Sequence, residues 1–560
     1  MIRTFKTNQV RKTEELSGSG WTFSPRSGPR KGEHFPVTVP CCWESLPDFS
    51  AYRGAGSFET TFWGAGRVRL VFKGVSHTGV IYVDGRRIGS HYNAYTPFAV
   101  TAENLPEGEH QLRVEVDNAF SEKSALHIPN DYMTYGGISR GVVLEHLAGA
   151  YIEYIHGTPR RAGRGWELTL AARIRNPEPE ARTYRLALEA KGLGTAGEDI
   201  RLEAGETAEY SRTISVGEVR EWAPESPVLY EISALLMEGG KPMDDLIDRV
   251  GFRQVEIRGK DILLNGKRLR IKGFCRHEDH PQFGCALPLG AIAQDIQIAV
   301  DLGANAIRTT HYPNDECFLD LCDEQGILVW EENHARGLKE HHMQNPYFEQ
   351  QEEACTEEMV LAHKNHPCII MWGILNECAS ETEYGRACYK KQYEMLARLD
   401  PSRPRTSASN KHKRDICLDL PEIISFNLYP EWYDDQAEDA GACIRDMAGW
   451  LRGNPVTADK PFLVSEIGAG AIYGYRTPAL CKWSEEYQAL ALEHQMRAVL
   501  ENPECCGLFV WQLTDVRVSR ERFDNRPRTM NNKGIVDEYR RRKLAYTVVK
   551  EIYRSYGTYF

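Results

Sequence analysis

The stretch Cys368-Ile369-Ile370-Met371-Trp372-Gly373-Ile374-Leu375-Asn376-Glu377 is an apolar run that stops abruptly on an amide and a carboxylate. It reads as a buried strand whose polar residues begin where the strand ends. Helical stretches flank it, Phe348 to His363 closed by Pro367, and Tyr384 to Leu399. The unit recurs. Candidate strands are Leu269 to Phe274, Ala306 to Thr309, Ile327 to Glu331, Ile369 to Ile374, Arg405 to Ala408, Ile423 to Asn427, Phe462 to Ser465 and Gly507 to Gln512. Gly290 to Leu302 and Asp315 to Glu324 are further helical segments, stopped by Gly303 and Gly326. Eight β/α repeats predict a TIM barrel over residues 256–560, close to the usual size of about 250 residues with moderate insertions. Chemistry is then expected at the C-terminal strand ends.

Before Val255 the texture differs. Short alternating runs between Trp21 and Gly149, such as Val68 to Phe72, Gly79 to Val83 and Gln111 to Val116, predict a β-sandwich of jelly-roll type over residues 1–149. Asp84-Gly85 signals a hairpin. A second block, residues 150–255, carries Glu167 to Ile174, Tyr184 to Ala190, Ala208 to Ile214 and Leu229 to Leu236, a spacing that suits an immunoglobulin-like sandwich.

Composition narrows the function. The 560 residues are 42% hydrophobic and 26% charged, with a net charge of −11, which excludes disordered or fibrous classes and argues against a nucleic-acid partner. The basic run Arg540-Arg541-Arg542-Lys543 reads as a solvated surface. No window approaches 18 apolar residues, and Met1 to Gly20 lacks the apolar core of a signal peptide, so a membrane partner is not expected and a cytoplasmic location is. Thirteen of the 15 cysteines lie from Cys275 onward, none in a C-x-x-C pair. Reduced thiols are the expectation, including the vicinal Cys505-Cys506, and no His/Cys cluster has zinc spacing. No metal or cofactor is called for.

The barrel strand ends collect polar residues: Arg276-His277-Glu278-Asp279, His311-Tyr312, Glu331-Glu332-Asn333, Asn376-Glu377, Tyr429, Glu466 and Trp511. Glu377 ends strand four and Glu466 ends strand seven, so barrel closure can set them face to face. Two carboxylates across a sugar perform both halves of glycoside hydrolysis, one protonating the leaving oxygen while the other attacks the anomeric carbon or activates water.

Trp372-Gly373-Ile374-Leu375-Asn376-Glu377 resembles the acid/base motif of the family 2 glycoside hydrolases, and Ser465-Glu466-Ile467-Gly468 their nucleophile motif. Further likenesses run the length of the chain: Val39-Pro40 with Trp43, Tyr52-Arg53-Gly54, Tyr135-Gly136-Gly137-Ile138-Ser139-Arg140, Gly251-Phe252-Arg253, Leu264-Asn265-Gly266-Lys267, Gly273 to Asp279 and Arg308-Thr309-Thr310-His311-Tyr312-Pro313. Within the family the chain looks most like the β-glucuronidases, whose N-x-K-G motif is matched by Asn531-Asn532-Lys533-Gly534. The resemblance implies that Asn376 contacts the sugar 2-hydroxyl, that Asn531 and Lys533 hold the substrate carboxylate, and that Asp131, Tyr429 and Tyr433 also reach the sugar. It further implies that Trp511 forms a stacking floor and that His311 lies in the pocket.

The sequence departs from the pattern after strand three, reading Glu331-Glu332-Asn333-His334-Ala335-Arg336-Gly337. Arg336 adds a cation that could reach the sugar carboxylate or the C4 hydroxyl, leaving glucuronide and galacturonide both open; the alternative is an outward Arg paired with a nearby Glu. Only 27 residues separate Gly337 from Asn365, so the aglycone side is expected to be open. Cys378 stands where relatives have Pro. The implied reaction is retaining exo-hydrolysis of a β-hexuronide, with carboxyl groups about 5 to 5.5 Å apart. Other activities of the family, β-galactosidase or β-mannosidase, would share both Glu residues but not the Asn531/Lys533 pair, and a non-catalytic carbohydrate-binding protein would need neither. The expected partner is a small glycoside; relatives commonly form homo-oligomers, though no sequence feature sets a subunit number.

Overall fold

A computed structural model describes residues 5–28, 30–433 and 439–560, so the first four residues of the polar N-terminal stretch lie outside it. Alternation builds the first domain. Val68, Leu70 and Phe72 are fully buried while Arg69 and Val71 between them are not, as a strand with one face on a core requires. The long strands Ala55–Phe72 and Phe98–Asp117 pair antiparallel at the centre of an eight-stranded sheet, and a three-stranded sheet, Cys41–Cys42, Gly137–Ile138 and Val75–Ser76, completes the domain. Trp21, Phe23, Trp43, Phe58 and Phe72 fill its core. At the hairpin joining Thr78–Val83 to Arg86–Tyr92, Asp84 and Gly85 take φ of 49° and 76°, the left-handed pair that a type I′ turn needs.

The second domain is a seven-stranded immunoglobulin-like sandwich. A sheet of Tyr151–Ala162, Gly165–Arg175 and Thr207–Gly217 faces one of Gly194–Leu202, Arg182–Ala190, Tyr230–Glu238 and Lys241–Val250. Leu168, Leu170, Leu186, Leu188 and Leu236 interdigitate between them.

The third domain is a closed parallel barrel: β1 (Ile271–Arg276), β2 (Ala306–Thr309), β3 (Leu328–Glu332), β4 (Ile369–Gly373), β5 (Arg405–Thr406 and Ala408–Ser409), β6 (Ile424–Asn427), β7 (Phe462–Ile467) and β8 (Cys505–Val510), with β8 pairing back onto β1. Helices wrap it, among them α1 (Leu289–Leu302) and α2 (Glu316–Gln325), both ending on a left-handed glycine, Gly303 (φ 84°) and Gly326 (φ 70°). β8 ends before Trp511 because the Gln512 backbone leaves the sheet to bond the Lys533 carbonyl and the Ile535 amide, 3.0 and 3.1 Å away.

The sandwiches are fastened to the barrel by buried polar residues. The Tyr135 hydroxyl donates to Asp279 (2.7 Å), and the Arg140 guanidinium donates to Glu278 (2.8 Å) and the Pro313 carbonyl (2.7 Å). Glu278 and Asp279, at the end of β1, are thus used in holding the first domain in place. Below the barrel, Arg253 donates to the carbonyls of Pro367 and Ile369. The run 540–543 is not a solvated surface. Arg540 and Lys543 are buried, paired with Asp295 (2.9 Å) and Asp515 (2.7 Å), because the segment folds back across the barrel and two of its four cations turn inward. No helix among the described residues is long and apolar enough to cross a membrane.

Candidate active site

The site is built on one buried cation. Arg308 sits in β2, where only Ala306, Ile307 and Thr309 accompany it, and its guanidinium crosses the barrel mouth. It pairs bidentately with Glu332 of β3 (2.9 and 3.0 Å), bonds Glu466 of β7 (2.9 Å) and donates to Oδ1 of Asn376 after β4 (2.7 Å). That last bond orients the Asn376 amide, leaving Nδ2 buried with no protein partner among the described residues and free to donate. Glu466 also accepts a 2.6 Å hydrogen bond from the Tyr429 hydroxyl. Burial pushes its carboxyl up to about 7, against the opposing pull of Arg308. Burial likewise raises Glu332 to about 7.

Glu377 is held on its other side. Asn427, ending β6, donates to its Oε1 (2.9 Å) while Asn427 Oδ1 accepts from Ser465 (2.7 Å), so one amide bridges the segments carrying the two carboxylates. Leu375 and Glu377 have φ of 48° and 54°, left-handed values uncommon for side-chain-bearing residues, and they turn the carboxyl out of the strand into the mouth.

Arg336 points inward. Its Nη2 lies 3.1 Å from Asp131 and 3.4 Å from Glu377, and Nη1 donates to Asn130 Oδ1 (3.1 Å), while the Gly337 amide bonds the Asn376 carbonyl (2.8 Å). The Asp131 contact is an ion pair without hydrogen-bond alignment. Burial works to raise the Asp131 carboxyl, but Arg336, Lys533 and Arg526 outweigh it and hold it below its ordinary value. Asn531 donates to Asp131 Oδ2 (3.2 Å), leaving its own Oδ1 buried without a partner among the described residues.

Lys533 is 2% exposed and pairs with no carboxylate among the described residues. Its ammonium lies over three rings, Tyr429 (5.8 Å), Trp432 (5.8 Å) and Tyr433 (5.2 Å). Tyr433 is 37% exposed, at the rim. The glycine after Lys533 is required: a Cβ on Gly534 would lie 2.2 Å from the Asp515 amide nitrogen. Trp511 is buried, with His311 stacked on its ring (4.9 Å) and His277 against its edge (5.4 Å). His311 is itself buried, its Nδ1 2.8 Å from Glu332, and burial holds the imidazole well below its usual value, hence neutral. Cys378 is buried, with its thiol 3.8 Å from the Ala335 carbonyl.

Glu377, Glu466, Asn376, Asp131, Arg336, Tyr429, Asn531 and Lys533 therefore form one network, with Tyr433 at its rim and His311 and Trp511 packed beneath. Sequence reasoning gave no site role to Arg308, Glu332, Asn427 or Asn130, although Glu332 stands among the strand-end polar residues and Arg308 in a family motif. A charged residue inside an otherwise apolar strand was the available signal for Arg308. The outward member of the Glu331-Glu332 pair is Glu331, bonded to His363 (3.0 Å). Asp323, His366 and Cys368 come together on the opposite face, but both Asp323 oxygens are taken, by His366 (2.6 Å) and the Cys368 amide (2.9 Å). A cavity of about 800 Å³ lies between the three domains, away from these carboxylates, its lining cations mostly paired, as Arg69 is with Glu145 (2.9 Å).

Three family models cover this architecture: the family 2 glycosyl hydrolase sugar binding domain over residues 36–148, the family 2 glycosyl hydrolases over 150–253 and the family 2 TIM barrel domain over 255–557. The chain is a family 2 glycosyl hydrolase. Enzymes of this family are retaining, and two carboxylates in one network on opposite barrel strands suit double displacement. A solved β-galacturonidase of Eisenbergiella tayi, bound to galacturonate, is 55% identical and superposes with a TM-score of 0.97 over 100% of both chains. A β-glucuronidase of Paenibacillus borealis is 26% identical across 99% of each chain, and one of Bacteroides fragilis is 27% identical over 94% of this chain and 79% of its own.

Within this family 2 hydrolase, Tyr429→Phe removes a hydrogen bond that favours the ionised form of Glu466. The Glu466 carboxyl then rises further above its ordinary value. With Glu466 as the proposed attacking carboxylate, activity is expected to fall as pH drops through its pKa of about 7, and that acidic limb of kcat/KM is expected to move to higher pH in the variant. The limb reports the coupled carboxylate cluster as a unit. A pH–rate profile that keeps its acidic limb in place would separate Tyr429 from Glu466.

Proposed function

We propose that this enzyme is an exo-acting β-D-hexuronidase that releases a free uronic acid, with β-galacturonides as preferred substrates. The observation that carries the uronide reading is Lys533, a buried ammonium with three aromatic rings around it and no carboxylate partner among the described residues. A buried ammonium with no carboxylate at ion-pair distance is costly, and a sugar carboxylate beside Lys533 and Asn531 supplies one. In the reaction Glu466, steered by Arg308 and Tyr429, attacks the anomeric carbon as Glu377 gives its proton to the aglycone oxygen; Glu377 then takes a proton from the water that releases the sugar.

Preference for the C4 epimer of glucuronide rests on Arg336, whose guanidinium enters the site between Asp131 and Glu377, and on the Eisenbergiella tayi relative. Glucuronide is the second substrate proposed, on the likeness to the Paenibacillus borealis β-glucuronidase. The test is kcat/KM on paired aryl β-galacturonide and β-glucuronide. Arg336→Ala is expected to cost galacturonide roughly tenfold to a hundredfold more than glucuronide, the worth of one hydrogen bond from a charged donor. Equal losses on the two sugars would assign Arg336 to holding Glu377 and Asp131 alone. A cytoplasmic location is part of this reading and rests on the odd number of cysteines, 15, with none in a C-x-x-C pair. A homo-oligomer is the proposed assembly, read by light scattering.

A further inference from the structure

The segment that follows β8 carries Arg517, Arg520, Arg522, Arg526 and Arg528 within twelve residues, in a chain whose net charge is −11. It is laid directly over the loop that holds Arg336: the Ser519 amide donates to the Asn130 carbonyl (3.0 Å), and the Ser519 hydroxyl to the Tyr132 carbonyl (3.5 Å). From that anchor a single helical turn, Arg520–Phe523, projects outward. The guanidiniums of Arg522 and Arg526 lie 5.3 and 5.8 Å from the centre of the half-buried Phe523 ring. Neither has a carboxylate partner among the described residues.

The acids nearby do not neutralise this group. Glu521 is committed to Arg53 (2.5 Å) and Glu538 to Arg528, leaving Asp524 on the same turn. The positive field reaches both the pocket and the opposite rim. Arg526 contributes to holding the Asp131 carboxyl down, and the imidazole of His342, after β3, is lowered by burial and then by His341, Lys339 and Arg522. An aromatic ring beside two guanidiniums that have no carboxylate partner among the described residues offers apolar contact to a sugar and a fork to a carboxylate. A uniformly acidic enzyme would repel a polyanion, whereas cations gathered at one mouth draw it in.

Resting on the hexuronidase reading, we propose that Arg522, Phe523 and Arg526 form a subsite for an acidic aglycone, so that the uronide cleaved is the end residue of a chain whose next sugar is also a uronate. The preferred substrate class is then a short acidic oligosaccharide.

The test compares kcat/KM for one hexuronide carried on an uncharged aryl aglycone and on a second uronate, in the parent enzyme and in Arg522→Ser/Arg526→Ser. The parent is expected to favour the acidic aglycone, and to lose that preference at 1 M salt, where screening shortens to about 3 Å. The double variant is expected to lose about fivefold to tenfold more on the acidic aglycone than on the uncharged one, with Arg522→Lys/Arg526→Lys recovering part of the difference. Equal losses on both substrates, or a parent that prefers the uncharged aglycone, would overturn the subsite. Failure of the parent to cleave either hexuronide would instead strike at the hexuronidase reading.

Discussion

Glu466→Gln is expected to lower turnover of an aryl β-hexuronide by roughly 10⁴-fold or more, the scale on which enzymes lose rate when a covalent nucleophile is removed. The amide keeps the shape of the side chain and can still meet Arg308 and Tyr429, so the fold is expected to survive. What disappears is the electron pair that forms the glycosyl bond. The measurement has two parts. Steady-state rates should collapse, and a 2-fluoro glycoside that adds one sugar mass to the parent enzyme should leave the variant unlabelled. A variant that still turned over at the parental rate, or that still took up the label at another residue, would move the nucleophile elsewhere. Glu377 is the group to examine next, because Asn427 and Arg336 hold its carboxyl on the other side of the same network.

The second large effect concerns Lys533. Truncating one partner of a buried, hydrogen-bonded charge pair costs about 3–5 kcal/mol, because the remaining charge is left desolvated and alone. Lys533→Ala should therefore lower kcat/KM on a hexuronide by a factor between about 10² and 10⁴. On the matching neutral hexoside, where no carboxylate awaits the ammonium, the loss should be far smaller, so the ratio of the two rates is the decisive readout. Equal losses on uronide and neutral sugar would mean that Lys533 supports the aromatic cage of Tyr429, Trp432 and Tyr433 rather than binding the carboxylate. The cage itself gives a control: Tyr433→Ala opens the rim without removing the charge and should affect both sugars alike.

Much of this architecture is legible before any coordinates. The barrel strands were readable because most are largely apolar and end on polar residues, and two of the helices because they stop on Gly303 and Gly326, whose left-handed conformation costs glycine little. Where side-chain direction depended on distant partners, the reading failed. Arg540 to Lys543 has the composition of a solvated run, yet Asp295 and Asp515, 245 and 28 residues away along the chain, draw two of its cations inside. The polar cluster Arg276 to Asp279 stands at a strand end as catalytic residues do, but Glu278 and Asp279 are spent on Arg140 and Tyr135 of another domain. The first domain also sends more than Asp131 into the mouth, since Asn130 holds Arg336.

Sequence alone determined the order of the three domains, the eight-fold β/α repeat and the pair of strand-end carboxylates, since periodicity, turn chemistry and short motifs are local properties of the chain. Only the tertiary structure decided which polar residues face one another: that Arg308 ties Glu332, Glu466 and Asn376 together, that Arg336 turns inward, and that Lys533 is buried among rings. Those contacts join residues up to 400 positions apart, as Asn531 and Asp131 are, and at such separations electrostatics and burial act through space rather than along the chain.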